Sequence, residues 1–159
     1  MTHDVPSEQW IHEKYMDQAL NEARNAELAG EVPVGAVVAD RDGTVIASGF
    51  NQPISRQDPT AHAEIVAMRL AAKITGNYRL SNLTLYCTME PCLMCAGAMV
   101  HARIQRLVYG TADLRAGAVG SIYNVLADSR LNHQVEVISG VREQECRQIV
   151  QRFFAVKRL

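Results

Sequence analysis

No stretch of the chain approaches the roughly 18 consecutive apolar residues of a membrane span. Residues 1–9 are polar, without the apolar centre that a secretory signal needs. A membrane protein and an exported protein are therefore not expected, and a cytoplasmic location is. Cysteine is scarce, at four residues. In a chain without an export signal such thiols serve metals or catalysis more often than disulfides. An excess of one charge is also lacking, because the formal net charge is −1. A strongly basic balance would have pointed to nucleic acid, so bulk charge counts against a large polyanionic partner unless a local basic patch binds it. Repeats, low-complexity segments and long linkers are missing too, which leaves one domain spanning 1–159.

What is present is the material of a soluble globular domain, 48% hydrophobic and 21% charged. Ser7 can cap a helix running through Trp10, Ile11, Tyr15, Ala19, Ala23 and Ala26 and stopping at Gly30. Residues 34–38 and 44–48 are short apolar runs flanking Asp42-Gly43, a hairpin signal. After a loop over 51–59, residues 61–74 are apolar nearly all round except at Arg69 and Lys73, which predicts a well-buried helix. Strands are expected at 83–88, 104–109 and 135–138. Helices are expected at 92–102, opened by Pro91, and in the last segment, where Cys146, Ile149, Val150 and Phe153 fall at helical spacing. Strands alternating with buried helices predict a three-layer α/β domain with a mixed sheet.

Three soft donors stand out. Cys92 and Cys95 lie three apart after Pro91, on one face of a helix start, where free backbone N–H groups favour thiolates. With neutral His62 they would make a three-ligand, formally neutral zinc site whose fourth position is left for water, as in catalytic sites. Cys87 and Cys146 sit in apolar patterns and read as small core residues rather than a fourth ligand. Glu64 follows His62 by two positions. Inside one regular helix those side chains would point roughly 200° apart, so they converge only if His62 lies in the entry turn. Glu64 then either favours the helix N-terminus by charge or stands beside the metal and moves protons. Singly, the Cys-x-x-Cys and His-x-Glu pairs are weak signals; together, each at a helix start, they are strong.

Thr60-Ala61-His62-Ala63-Glu64 and Glu90-Pro91-Cys92-Leu93-Met94-Cys95 resemble the signature of the cytidine/deoxycytidylate deaminase superfamily. The resemblance covers almost the whole chain. It narrows to the bacterial tRNA-specific adenosine deaminases through Glu31-Val32-Pro33-Val34-Gly35-Ala36-Val37, Asn51 with Asp58-Pro59, residues 95–104, Tyr109-Gly110, Asp113, residues 117–121 and Asn132-His133. Thr111, Ala112 and Asn124 depart from that pattern on the substrate-side loop.

The resemblance implies a three-layer α/β/α cytidine-deaminase-like fold on a five-stranded mixed sheet. It implies zinc, one per subunit, on His62, Cys92 and Cys95, with Glu64 as the catalytic proton shuttle. Asn51 would hold the target nucleoside, and the backbone of Ala63 and of Val32, Pro33 and Val34 would help form the base pocket. Asp113, Arg115, Asn132 and His133 would contact neighbouring nucleotides. The implied reaction is hydrolytic deamination of adenosine to inosine at the wobble position of a tRNA anticodon stem-loop, by a homodimer. Arg142, Arg147, Arg152, Lys157 and Arg158 face only Glu143 and Glu145 between 141 and 159, and could supply phosphate contacts or merely a solvated face. Two rivals are a free-base deaminase acting on guanine or cytosine and a non-catalytic RNA-binding subunit on the same fold. The first needs no basic rim; the second would be expected to lack Glu64.

Overall fold

A computed structural model describes residues 7–157. The polar start expected over 1–9 thus lies mostly outside the described residues, as does Arg158. Helix α1 (Glu8–Leu28) begins where Ser7 accepts the Trp10 N–H on its hydroxyl at 3.4 Å. It is followed by strands β1 (Gly35–Ala39) and β2 (Val45–Phe50), then α2 (Pro53–Arg56) and α3 (Ala63–Thr75). Strand β3 (Thr84–Met89), helix α4 (Leu93–His101), strand β4 (Arg106–Thr111), strand β5 (Glu136–Ile138) and helix α5 (Glu143–Lys157) complete the order.

The five strands form one sheet in the order β2-β1-β3-β4-β5. β1 pairs antiparallel with β2 and β3, while β3, β4 and β5 run parallel. The mixed five-stranded sheet is as expected. Alternation along the strands divides the core. Ala36, Val38, Leu85, Cys87, Leu107 and Tyr109 face α3 and α4, and Val37, Ala39, Tyr86 and Val108 face α1 and α5. This produces three layers. At Gly35, α1 crosses so closely that a Cβ would overlap the Ala19 carbonyl and the Ala23 amide.

Two expectations are corrected. Helix α3 is not buried all round, because Leu70 and Ile74 are 42% and 58% exposed. It packs on β1 and β2 through Ala63, Ala67 and Ala71, and among the described residues no second layer covers its far side. The loop over 51–59 contains α2, a single turn too short for periodicity to reveal. Its N-terminal amides are satisfied by a distant side chain: Glu31 accepts from Ile54 N at 3.2 Å, Ser55 N at 2.8 Å and the Ser55 hydroxyl at 2.7 Å.

Candidate metal centre and substrate pocket

The strand directions bring the expected residues to one end of the sheet. β2, β3 and β4 all end there, leading into Asn51, Glu90-Pro91-Cys92 and Asp113, and β1 starts there just after Val32 and Val34. Ligands in sheets of this kind bind at the carboxyl ends of the strands.

His62 is the N-cap of α3, with extended backbone (φ −69°, ψ 153°), so it lies in the entry turn and can converge with Glu64. Asp58 shapes the approach by accepting the Thr60 amide at 2.8 Å and its hydroxyl at 2.7 Å. Those two bonds hold the Asp58 carboxyl below its usual range. Cys92 is the N-cap of α4 (φ −76°, ψ 176°) rather than part of the helix, and Cys95 is its third residue. The two thiols therefore approach from the cap and the first turn, not along one helix face. The N-terminus of α4 thus carries both sulfurs, where the helix dipole favours thiolates.

Both cysteine sulfurs lie 3.5 Å from His62 Nδ1. Tetrahedral zinc with bonds of about 2.3 Å to sulfur and about 2.0–2.1 Å to nitrogen requires about 3.6 Å between such atoms. The donors are thus spaced for that ion, and their chemistry, two thiols and an imidazole, suits it. Among the described residues His62, Cys92 and Cys95 are the group that could hold a metal, their ligand atoms all within 4.8 Å of one another. Cys87 and Cys146 are buried in the two cores, and burial pushes both thiols up, Cys146 to about 12. They are core residues, as expected.

The protons are unevenly distributed over the three donors. Hydrogen bonding to Cys95, then to His62, pulls the Cys92 thiol down to about 4. The same contact with Cys92, together with burial, pushes Cys95 up, and the Cys92 sulfur raises the His62 imidazole. Glu64, the second residue of α3, is 4% exposed. Burial pushes its carboxyl up against a weaker downward pull from Cys95 and His62.

A cavity of about 180 Å³ connects these groups. That is small beside the roughly 300–1,000 Å³ of clefts for drug-sized ligands. Val32, Val34, Asn51, His62 and Glu64 line it together with Asp113, which the resemblance placed beside the nucleotides flanking the target. Pro33 is fully buried and is not among the residues lining the cavity. The Ala63 amide is already bonded, donating to Asn51 Oδ1 at 3.2 Å. Asn132 and His133 are not brought to the cavity: Asn132 accepts from Arg103 at 3.0 Å, and His133 Nε2 donates to the Ile104 carbonyl at 2.7 Å. Arg115 is exposed on a neighbouring cleft of about 410 Å³, which shares Val32, Met89 and Asp113 with the cavity and adds Arg147 and Phe154. A larger depression of about 570 Å³, between α1 and the β1–β2 turn, lies away from these donors. Reading the sequence for function missed Met89, Ala116 and Glu90 as cavity residues. Glu90 stands inside the Cys92 motif, but nothing in the motif marks it as a cavity residue.

Residues 11–158 match the MafB19-like deaminase family, which gives the class of the domain. A tRNA-specific adenosine deaminase of Haemophilus influenzae is 51% identical over 92% of this chain and 84% of that protein. A solved tRNA:A34 deaminase, studied for A-to-I editing at the wobble position of transfer RNA, superposes with a TM-score of 0.82. It is 44% identical, over 86% of this chain and 98% of that one. A guanine deaminase from Bacillus subtilis is more distant, with a TM-score of 0.62 and 33% identity over 79% of this chain and 82% of that one. The chain belongs to the deaminases and, within them, to the tRNA-specific adenosine deaminase family.

Proposed function

We propose that the protein hydrolyses adenosine to inosine at the wobble position of a tRNA anticodon stem-loop, with one zinc ion per subunit. The observation that carries this reading is the buried Glu64 carboxyl sharing a cavity with His62 and Cys92, in a chain whose relatives are named tRNA-specific adenosine deaminases. His62, Cys92 and Cys95 would hold zinc, which when bound supplies an activated water nucleophile. Glu64 takes the proton from the nucleophile and delivers it to a ring nitrogen of the base as the new C–O bond forms. It then takes the proton of the added hydroxyl and delivers it to the amino group, so that the C–N bond breaks, ammonia leaves and the carbonyl forms. Such acid–base work contributes roughly 10²–10⁴-fold. Asn51 orients the base through its free NH₂. The target base must be unstacked to enter the cavity, which is cheapest in a loop.

The neighbouring cleft, with Asp113, Arg115 and exposed Phe154, supports the reading by offering polar groups and a stacking surface for nucleotides beside the target. Reduced thiols suit the cytoplasm. An apolar groove lined by Ile65, Met68, Tyr78, Leu80, Ala98 and Ala102 suits a second copy of the chain. In the test for that dimer, Ala98→Glu elutes as a monomer in light-scattering chromatography while the unmodified chain elutes as a dimer; equal masses would remove this interface.

The activity test incubates the protein with an anticodon stem-loop bearing adenosine at the wobble position and scores inosine by digestion and mass spectrometry. Free adenosine, adenine, guanine and cytosine run in parallel, with Glu64→Ala as control. Inosine from the stem-loop, lost by at least about 10²-fold in the control, is expected. Deamination of a free base with an inert stem-loop would replace this reading with the free-base one.

A further inference from the structure

Glu90 is 3% exposed and has no basic side chain bonded to it. Four donors from the segment after β4 meet its carboxylate instead. Oε1 accepts the Asp113 amide at 3.1 Å and the Ser121 hydroxyl at 2.5 Å. Oε2 accepts the Val119 amide at 3.0 Å and the Ser121 amide at 3.1 Å. A carboxylate has about four acceptor sites, and this one is saturated by a single loop. The loop thus replaces water around a buried charge, and moving it would leave that charge without partners, which is costly.

The rest of the contact reinforces the clamp. The Ala118 amide donates to the Pro91 carbonyl at 2.9 Å, and Gly117 pairs with Cys92 in a short antiparallel bridge. Gly117 lies against the Glu90 carboxylate so closely that a Cβ there would overlap it. The loop that brings Asp113 and Ala116 to the cavity is thereby fixed to the backbone next to Cys92.

We propose that Glu90 is a positioning residue for substrate selection: by gathering the amides of Asp113, Val119 and Ser121 it sets the distance between the metal-binding turn and the loop that meets the nucleotides beside the target base. The substrate half of this inference rests on the tRNA reading above. Unlike a generally structural role, it requires the damage to fall on KM and on discrimination among flanking nucleotides rather than on metal content.

The test compares Glu90→Gln, Glu90→Asp and Ser121→Ala with the unmodified enzyme. It measures bound zinc, amide hydrogen exchange, and kinetics on two stem-loops that differ in the nucleotide 5′ to the target. Glu90→Gln is expected to retain its zinc and to exchange the amides of residues 113, 119 and 121 faster. KM should rise about tenfold, as for one charge-assisted hydrogen bond lost, with a smaller change in kcat, and discrimination between the two stem-loops should shrink. Ser121→Ala, which removes one donor and leaves Glu90 in place, should move the same quantities less, and it remains readable if Glu90→Gln does not fold. Glu90→Asp keeps the charge but falls one methylene short, so it should resemble Glu90→Gln. Full rescue by aspartate, amides that stay protected in Glu90→Gln, or unchanged discrimination would each overturn the proposal. If the unmodified enzyme deaminates neither stem-loop, the tRNA reading fails and takes the substrate half with it, while the exchange data still decide whether Glu90 holds the loop.

Discussion

The Ala63 backbone N–H can only donate, so the Asn51 atom facing it at 3.2 Å is the amide oxygen. The side chain is thus oriented by the turn that carries His62, and its NH₂ is left for the substrate. Asn51→Asp retains the acceptor toward Ala63 but offers the base an acceptor where it needs a donor. We expect kcat/KM on the stem-loop to fall at least about tenfold, the scale of a lost polar contact, with zinc content unchanged. Loss of zinc together with activity would instead make Asn51 a support of the metal turn. The metal ligands make a different prediction. Cys95 is held protonated by Cys92 and by burial, and the His62 imidazole is raised, so zinc uptake by the apo-protein must displace protons. Titration calorimetry in buffers of different ionisation enthalpy should register about one to two protons released near neutral pH. Zinc affinity should weaken as pH falls; uptake without proton release would contradict this donor set. His62, Cys92, Cys95 and Glu64 were legible in the sequence because metal chemistry restricts residue type and spacing together. Glu90 was not, although it stands in the same motif, because its partners lie 23 to 31 residues away and are mostly backbone amides that carry no residue-specific signal.

At the scale of elements, α2 depends on Glu31 as the loop at 113–121 depends on Glu90. Glu31 is 1% exposed. Burial pushes its carboxyl up, but the Ser55 hydroxyl and the Ser55 and Ile54 amides outweigh burial, with a smaller pull from Lys157, and hold it below the usual range. A depressed value in the folded state stabilises the fold above the unfolded carboxyl value of about 4.3, and that stabilisation is lost as pH falls through the folded value. Glu31→Gln should therefore cost on the order of 2 kcal/mol near neutral pH, and the gap to the unmodified protein should close below about pH 4. Urea unfolding between pH 3 and 8 measures it; a gap independent of pH would show that packing, not charge, does the work. Gly35 supplies a second test. With Ala19 and Ala23 of α1 already against it, Gly35→Ala should destabilise the domain by about 1–3 kcal/mol, visible as a lower Tm. An unchanged Tm would mean that α1 can move away from β1. Periodicity found α1, α4 and α5 because each has a buried stripe of several turns. It misjudged α3, whose apolar Leu70 and Ile74 lie on the side that no layer covers, since sequence registers apolarity and not what stands opposite.

For the whole molecule, the difficulty is a polyanionic substrate on a chain of net charge −1. In sequence the segment from 141 onward looks basic, because only Glu143 and Glu145 oppose its cations. The fold adds acids from α1. Arg142 meets Asp17 at 3.0 Å and Glu13 at 3.8 Å, and Arg152 meets Glu27 at 3.8 Å. Arg147 meets Glu143 at 2.8 Å, and Lys157 lies over the Phe153 ring. These pairs are at least partly exposed and individually weak, yet each must be given up before its cation can serve a phosphate. On the proposed tRNA reading, recognition would then rest on the cavity, the adjoining cleft and a few cations such as Arg115 at its rim. Each phosphate neutralised on a single strand contributes about −0.7 to the slope of log K against log salt concentration. Three or fewer contacts therefore predict a slope no steeper than about −2. Binding of a labelled stem-loop to Glu64→Ala, followed from low to high salt, measures this directly. A slope near −5 would require about seven phosphates, meaning that the α5 cations leave their acids for RNA. Charge reversal at Glu27 or Asp17 would discriminate further. If the arginines are held as the structure has them, Glu27→Lys should steepen the slope by adding charge to the face and freeing Arg152, whereas in the other case the slope is already steep and changes little.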